Sequence, residues 1–354
     1  MAAVGIAGTG WATRVQVPLF RKAGLTVAGI TGAHKTKTRR IAEELGIVAY
    51  DDWHGLVEDR AIDVVVVTTP PAQHMEIAIA ALDAGKHVIC EKPTALDARE
   101  AGRLVDCARK HRDRLSLIDH ELRFLPAWRT ARERIGDIGA LRYAEVRYSS
   151  PGRADRSRAW SWWNDQNQGG GIWGAVGSHF VDALRYFGFE IEAAQAALHT
   201  AIAERPFGEG LKRATADEIA SVQLRLRNGA IAAMTLSTVS SWIDEPAVIT
   251  LHGESGAFRL VGEELSLHQG SKPVQRIAGG EMQSRPGNSP GGAFGTGTLL
   301  FAEALKAVLG GEDAKALAPA ATFEDGLAQQ HVLDAARRSA ANDGRWESVP
   351  ATFA

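Results

Sequence analysis

The stretch Val4-Gly5-Ile6-Ala7-Gly8-Thr9-Gly10-Trp11-Ala12-Thr13 decides the fold. Its first residues form a short apolar strand that enters a glycine turn at once. Gly8 permits the tight turn. Gly10 leaves no side chain between the backbone and a pyrophosphate bound at the N-terminus of the helix read from Arg14 to Lys22. Thr13 stands where the third glycine of G-x-G-x-x-G would be, which costs some closeness of helix to sheet but does not block a phosphate. Gly8, Thr9, Gly10, Trp11 and Ala12 are therefore the expected cradle of a dinucleotide. A lone match of this kind is weak, and the run of elements behind it carries the reading.

That run alternates. Leu25 to Ile30 reads as a strand and Thr38 to Leu45 as a helix. The β-branched run Ile62 to Val67, closed by Thr68-Thr69-Pro70-Pro71, reads as a strand buried on both faces. A helix from Gln73 to Ala84 ends at Gly85, in the position of a C-cap glycine. Lys86 to Cys90, Asp97 to Arg112 and Leu115 to Ile118 continue as strand, helix and strand. Such alternation means right-handed βαβ units and a parallel, doubly wound sheet. After the second strand an Asp or Glu would favour NAD through the ribose 2′-OH. Here the segment is Thr31-Gly32-Ala33-His34-Lys35-Thr36-Lys37, with cations and no carboxylate. Thr31, His34 and Lys35 are expected near the adenosine ribose, and NADP(H) is favoured with NAD(H) as the alternative. The same cations also fit a plain solvated loop.

From Glu121 the pattern changes. A helix (Ala127 to Ile135) is followed by alternating stretches at Leu141–Tyr148, Ala220–Arg227, Ala230–Val239, Val248–Gly253 and Gly256–Val261. Arg227-Asn228-Gly229 reads as a tight hairpin turn with positive φ at Asn and Gly. Gly270 to Thr298 reads as a long loop, and Phe301–Leu309 and Phe323–Ala341 as helices. The expectation is α/β: a Rossmann domain over 1–120, then an α/β domain over 121–354 with an open-faced, mainly antiparallel sheet. The last helix, 323–341, is a candidate to pack back on the first domain.

Bulk properties narrow the class. The chain has 354 residues, the length of two ordinary domains, with 45% hydrophobic and 23% charged residues. A net charge of −2 with both signs interspersed leaves no footprint for nucleic acid. Cys90 and Cys107 are too few for a disulfide framework and suggest no metal-ligand spacing, so no metal is expected. No window nears the roughly 18 consecutive apolar residues of a spanning helix, and no basic segment precedes the first strand. The expectation is a cytoplasmic protein without a membrane partner.

Three further stretches carry a family resemblance: Thr69-Pro70-Pro71-Ala72-Gln73-His74, then Ala84-Gly85-Lys86-His87-Val88, then Glu91-Lys92-Pro93. With Gly169-Gly170-Gly171 and Gly177-Ser178-His179…Asp182, the chain resembles the Gfo/Idh/MocA oxidoreductases, relatives of glucose–fructose oxidoreductase and inositol dehydrogenase. The resemblance implies hydride transfer between a nicotinamide and a carbinol or carbonyl carbon of a sugar, polyol or related small molecule. It also implies a homodimer or homotetramer, and it puts Thr69, Pro70, His74, Glu91, Lys92 and Trp163 among the cofactor-binding residues.

The reaction needs a proton acceptor and help for a developing alkoxide. By resemblance Lys92 stabilises the substrate oxygen and His179 is the acid/base residue. Relatives usually carry an Asp four residues before that histidine, where this chain has Ala175. Asp182, one helical turn on, and Glu121 are the candidate substitutes. Trp160, Trp162 and Trp163 offer either a flat platform for a ring or core packing. Two other functions remain open in the sequence: a sensor that binds the dinucleotide without turnover, and transient oxidation by bound NAD followed by elimination or glycoside cleavage.

Overall fold

Six parallel strands build the first sheet: β1 (Ala3–Ala7), β2 (Thr26–Thr31), β3 (Val48–Ala49), β4 (Val64–Val67), β5 (His87–Cys90) and β6 (Ser116–Ile118). Their spatial order is β6-β5-β4-β1-β2-β3, and Ala321–Thr322 adds an antiparallel edge beside β6. The strand order reverses between β1 and β4, the switch point where open α/β sheets bind ligands. The computed structural model describes residues 2–278 and 290–351.

The valines of β4 show why this sheet is doubly wound. Val64 and Val66 point into one apolar cluster and Val65 and Val67 into another, as the period-2 strand requires. The first cluster is completed by Val17, Leu19 and Phe20 of the helix Val17–Lys22 and by Leu299, Phe301 and Leu305 of the helix Ala293–Leu309. The second takes Ile77, Ala81 and Leu82 from the helix His74–Asp83, and Leu104 and Val105 from Ala98–Lys110. Gly85 sits at φ +76, as expected of the residue that ends a helix.

The chain divides into two compact units, residues 1–125 with 287–327 and residues 126–286 with 328–354. The second unit holds a nine-stranded sheet. Its strands are β7 (Leu141–Ser149), β8 (Ile191–His199), β11 (Ile219–Leu226), β12 (Ile231–Ser237), β13 (Glu245–Gly253), β14 (Ala257–Val261), β15 (Glu264–His268) and β16 (Gln275–Ala278), with Glu347–Ser348 at one edge. A separate hairpin, β9 (Glu204–Phe207) and β10 (Gly210–Arg213), interrupts the series. Pairing is antiparallel except between β7 and β12, which run parallel. Ala220, Val222, Leu224 and Leu226 of β11 are buried while Ser221, Gln223 and Arg225 are exposed, so one face is covered and the other open.

Two local readings change. At the Asn228-Gly229 turn only Gly229 takes positive φ, at +86. The Asn228 side chain instead accepts from Ala230 N at 3.1 Å and donates to the Leu141 carbonyl at 3.3 Å. The stretch expected as a loop from 270 to 298 contains β16 and the start of the helix Ala293–Leu309, while residues 279–289 of it lie outside the described residues. The glycines of Ala293-Phe294-Gly295-Thr296-Gly297 look like loop in sequence. Gly297 serves close packing: a Cβ there would come within 2.5 Å of the Glu121 carbonyl oxygen.

Candidate active site

The glycine turn has the shape a dinucleotide requires. Gly8 lies at φ +134, its N–H donates to the Thr31 carbonyl at 2.9 Å, and a Cβ would collide with the Thr68 carbonyl oxygen at 2.3 Å. Beside Gly10 there is open space, since an added Cβ meets nothing within 4 Å. The helical run begins immediately, with a π-type turn over Ala12–Gln16 that passes into Val17–Lys22. These are the features that hold a pyrophosphate at a helix N-terminus, so the residues present fit the group. Thr13 replaces the third glycine without strain, because its hydroxyl donates to the Thr9 carbonyl at 2.9 Å. Thr31 is buried, and His34 and Lys35 are exposed. Asp51 stands near the cations, 3.7 Å from Lys35 and 2.8 Å from Arg39. Sequence spacing did not reveal this acid, because it lies beyond β3 rather than at the end of β2.

Parallel strands deliver their C-terminal residues to one edge, and here that edge is charged. The ladder continues one residue past each strand: Thr68 N donates to the Ala7 carbonyl, Glu91 N to Val67 and Asp119 N to Cys90. Thr68, Glu91 and Asp119 therefore stand in a row after β4, β5 and β6. Gln16, fully buried on the helical run after the glycine turn, ties the row together. Its Nε2 donates to Glu91 Oε1 at 2.9 Å and to Asp119 Oδ2 at 3.0 Å, and its Oε1 accepts from the Thr68 hydroxyl at 2.7 Å. Lys92 follows Glu91 and is half-buried, with its own N–H donating to Glu91 Oε2 at 3.3 Å. Glu121, buried at 3% exposure, completes the group.

Three carboxyl groups around one lysine cannot all be ionised at no cost. Two like charges roughly 5 Å apart at an effective dielectric of 20 repel by about 3 kcal/mol, or about two pK units. Burial pushes Glu91 up to about 8, and the charge of Asp119 adds to that rise while Lys92 opposes it. Burial also pushes Asp119 up, to about 6, held back by the Gln16 amide and the Lys92 charge. Glu121 is pushed well above the usual carboxylate range by burial and then by Asp119. At neutral pH this edge of the sheet therefore stores protons. Gln16 and Asp119 were not singled out from the sequence: a glutamine in a helix and an acid after a strand carry no signal until 75 and 103 residues of separation are closed.

The loops on either side are held by His74. Its Nδ1 lies 3.0 Å from the Pro93 carbonyl and its Nε2 2.9 Å from that of Thr69. Burial lowers it to about 4, so the ring is neutral and donates only one of these contacts. His74 is 1% exposed, and the structure shows it tethering the Thr69-Pro70 turn to the loop after Lys92. The Lys92–Pro93 peptide is cis. Arg123 is paired with Asp325 at 3.2 Å.

In the second unit His179 and Asp182 are both buried on the helix Ser178–Tyr186, which continues a π-type turn over Trp173–Gly177 that contains Ala175. Asp217 holds the start of that turn: its Oδ2 accepts from Trp173 N at 2.7 Å, and a Cβ on Gly171 would strike its Oδ1 at 2.4 Å. The tryptophans do not form one platform. Trp160 packs edge-on to Phe207 under Lys212, whereas Trp163 lies beneath the Arg153 guanidinium, 3.8 Å from the ring centre. A fully buried pair, Arg205 and Glu218, anchors that arginine's loop: Arg205 Nη2 donates to the Arg153 carbonyl at 2.7 Å and Nη1 to that of Asp155 at 2.8 Å.

Among the described residues, Asp83, Cys107 and His111 are a group whose ligand atoms lie within 4.8 Å of one another, on the helix side of the first unit. A 2.8 Å contact from His111 to Asp83 accounts for that group, and burial pushes the Cys107 thiol up to about 11. No helix among the described residues is long and apolar enough to cross a membrane.

Comparison with known proteins follows the same division. The family described as "Oxidoreductase family, NAD-binding Rossmann fold" matches residues 2–118, and "GFO/IDH/MocA C-terminal domain" matches 128–259. Glucose-fructose oxidoreductase domain-containing protein 2 of Xenopus laevis is 30% identical over 372 residues, covering 99% of this chain and 94% of that protein. An uncharacterized oxidoreductase of Synechocystis is 31% identical over 274 residues, 74% of this chain and 72% of its own length. Levoglucosan dehydrogenase in complex with NADH and levoglucosan superposes with a TM-score of 0.86 at 25% identity, covering 99% of this chain and 100% of that one. An inositol dehydrogenase homolog from Azotobacter vinelandii shares the fold, with a TM-score of 0.79 at 22% identity over 98% of this chain and 97% of its own. With both domain families matched and a relative aligned along nearly its whole length, this chain belongs to the GFO/IDH/MocA family of NAD-binding oxidoreductases.

Proposed function

We propose that this protein is a dehydrogenase or reductase that moves a hydride between a nicotinamide dinucleotide and a carbinol or carbonyl carbon of a sugar or polyol. The observation that carries the reading is Lys92, set among three buried carboxyl groups at the carboxyl edge of the sheet, next to a glycine turn open at Gly10. Gly8, Thr9, Gly10, Trp11 and Ala12 would hold the pyrophosphate, and Thr31, His34 and Lys35 the adenosine ribose. Thr69, Pro70, Glu91, Lys92 and Trp163 are proposed to line the rest of the cofactor and substrate space, with His74 fixing the loops. When bound, the dinucleotide supplies the hydride acceptor or donor. Lys92 binds the substrate oxygen and steadies its charge as the proton leaves. His179 is proposed as the second proton-handling group, with Asp182 beside it on the helix. Glu121 acts on the side of Lys92, where it adds to the proton store.

The cations after β2 favour NADP(H), and Asp51 cuts into that preference by pairing with Lys35 and Arg39. Relatives crystallised with NADH and levoglucosan suggest the first substrates to assay: levoglucosan, myo-inositol and a panel of hexoses with NAD+ and NADP+. On the substrate so found, Lys92→Ala is expected to lower kcat/KM by about 10²–10⁴-fold. Full turnover in that variant would end the assignment. Ala175 favours one other reading, a dinucleotide sensor without chemistry; tight cofactor binding with no turnover across the whole panel would establish it. The open face of the second sheet, including a shallow cleft of about 330 Å³ between Tyr143, Arg147, Thr235 and Arg259, is the proposed surface for a homodimer or homotetramer, checked by light scattering.

A further inference from the structure

We propose that Glu91 and Asp119 hold one proton between them, that Gln16 is the positioning residue that aligns the pair, and that the pair takes up the substrate's proton through Lys92. The last step rests on the function proposed above; the first two stand on the protein alone.

Gln16 has two N–H donors and one carbonyl, and each is committed: both donors to carboxylate oxygens, the carbonyl to the Thr68 hydroxyl. Its orientation cannot be reversed, because the flipped amide would aim its oxygen at two acceptors. Thr68 can donate, so the amide oxygen belongs on its side. Glu91 Oε1 and Asp119 Oδ2 are thereby both held within hydrogen-bond reach of a single nitrogen.

A neutral amide orients two carboxyl groups without neutralising either. Both lie beneath the surface, at 8% and 1% exposure, so water does not screen them. The other Asp119 oxygen, Oδ1, is buried and meets no hydrogen-bond donor among the described residues. A buried acceptor left in that state is costly, and one proton held between the two carboxyl groups removes the cost together with their repulsion. This is the arrangement of paired acids that cannot both ionise. Among the groups that face the pair, Lys92 favours the charged form, while burial and the pair's own charge push Glu121 and the Cys90 thiol up, so both stay protonated and add no charge. The neutral ring of His74 lies on the Lys92 side and adds no charge.

When a carbinol is oxidised, the Lys92 ammonium hands one of its protons to the pair, and the neutral amine this leaves takes the proton released as the substrate O–H bond breaks. The pair goes from one proton to two and the lysine keeps its charge. Reduction runs the transfer backwards. An acceptor on this side of the chemistry would also offset the absence of a carboxylate at Ala175.

Infrared spectroscopy of the purified full chain, without cofactor or substrate, tests the shared proton. A buried protonated carboxyl absorbs as a carbonyl stretch well apart from carboxylate, and it shifts in D2O. The unmodified chain must show such a band at neutral pH and lose it as the solution is made alkaline; a chain with no such band overturns the proposal without any variant. Glu121→Gln removes that residue's own contribution and must leave a band. In that background, Glu91→Gln and Asp119→Asn are each expected to abolish it, since removing either partner lets the other ionise beside Lys92. Survival of the band in either variant would assign the proton to one residue alone and overturn the sharing. Gln16→Leu withdraws two hydrogen bonds from the ionised form, so the pH at which the band disappears should rise by about one unit. An unmoved midpoint would reduce Gln16 to packing. Because neither dinucleotide nor sugar enters these spectra, they succeed or fail independently of the turnover of Lys92→Ala.

Discussion

Two regions of this protein bury charge, and they do so in opposite ways. In the second unit Arg205 meets Glu218 with both side chains essentially inaccessible, and the guanidinium spends its remaining reach on the carbonyls of Arg153 and Asp155 while Glu218 accepts from Ile202 N. Opposite charges are matched there, and the product is a fixed loop that sets Arg153 over Trp163. In the first unit Glu91, Asp119 and Glu121 gather around a lysine, and an uncharged amide orients the first two. Acids outnumber the lysine there, and burial raises all three of them. A one-to-one ion pair builds structure, while a buried cluster in which acids outnumber the base is able to exchange protons.

The contrast can be broken at either end. Arg205→Met strands a buried glutamate and is expected to cost about 3–5 kcal/mol in urea denaturation. Arg205→Met combined with Glu218→Leu should recover most of that, because an apolar pair no longer needs a partner for charge. A single variant that loses under about 1 kcal/mol would show that the pair is solvated and the contrast false.

At the cluster the effect is a pH slope. The folded pair keeps its proton up to the raised value of about 8 at Glu91, whereas an unfolded glutamate releases one near 4.5. Between those values the unfolded state binds fewer protons, so stability falls as pH rises, by about 1.4 kcal/mol per pH unit for each proton. Asp119, raised from 3.8 to about 6, steepens the acid end of that window in the same direction. Glu91→Gln should remove roughly one proton's worth of slope between about pH 5 and 8, measured as urea midpoints across the range. An unchanged slope would deny the cluster its stored proton.

The smallest expected effect concerns an exposed charge, which sharpens the contrast by showing how little such groups weigh. Asp51 lies beside Lys35 and Arg39 at the surface. Asp51→Asn should raise the NADP+ to NAD+ ratio of kcat/KM by no more than about five-fold, the scale of a solvent-screened pair. A change of several hundred-fold would mean that Asp51 contacts the ribose directly.

Much of the first unit was legible in its sequence because its signals are local. The valine run of β4, Gly85 closing a helix and the Gly8–Gly10 turn each depend on neighbours a few residues away. The helix Ala293–Leu309 was only half legible: its first two turns carry glycines that sequence reads as loop, and the Glu121 backbone pressed against Gly297 explains the second of them. Lys92 and Glu121 could be named in advance, the first by its motif and the second by its place after a strand. Arg153 could not, because the cation lies ten residues before its tryptophan and is aimed by a salt bridge between Arg205 of β9 and Glu218, just before β11.

The sequence by itself determined that this chain is a doubly wound dinucleotide-binding fold followed by a mainly antiparallel sheet, because periodicity and turn chemistry act over a few residues. It also marked out the family, through Glu91-Lys92-Pro93 and the His179 segment. Only the tertiary structure decided what surrounds Lys92. A parallel sheet carries the ends of β4, β5 and β6 to one edge, so Thr68, Glu91 and Asp119 meet there on the amide of Gln16 although long stretches of chain separate them. Burial at that edge then turns ordinary acids into a proton store, a property that belongs to their surroundings and not to the residues themselves.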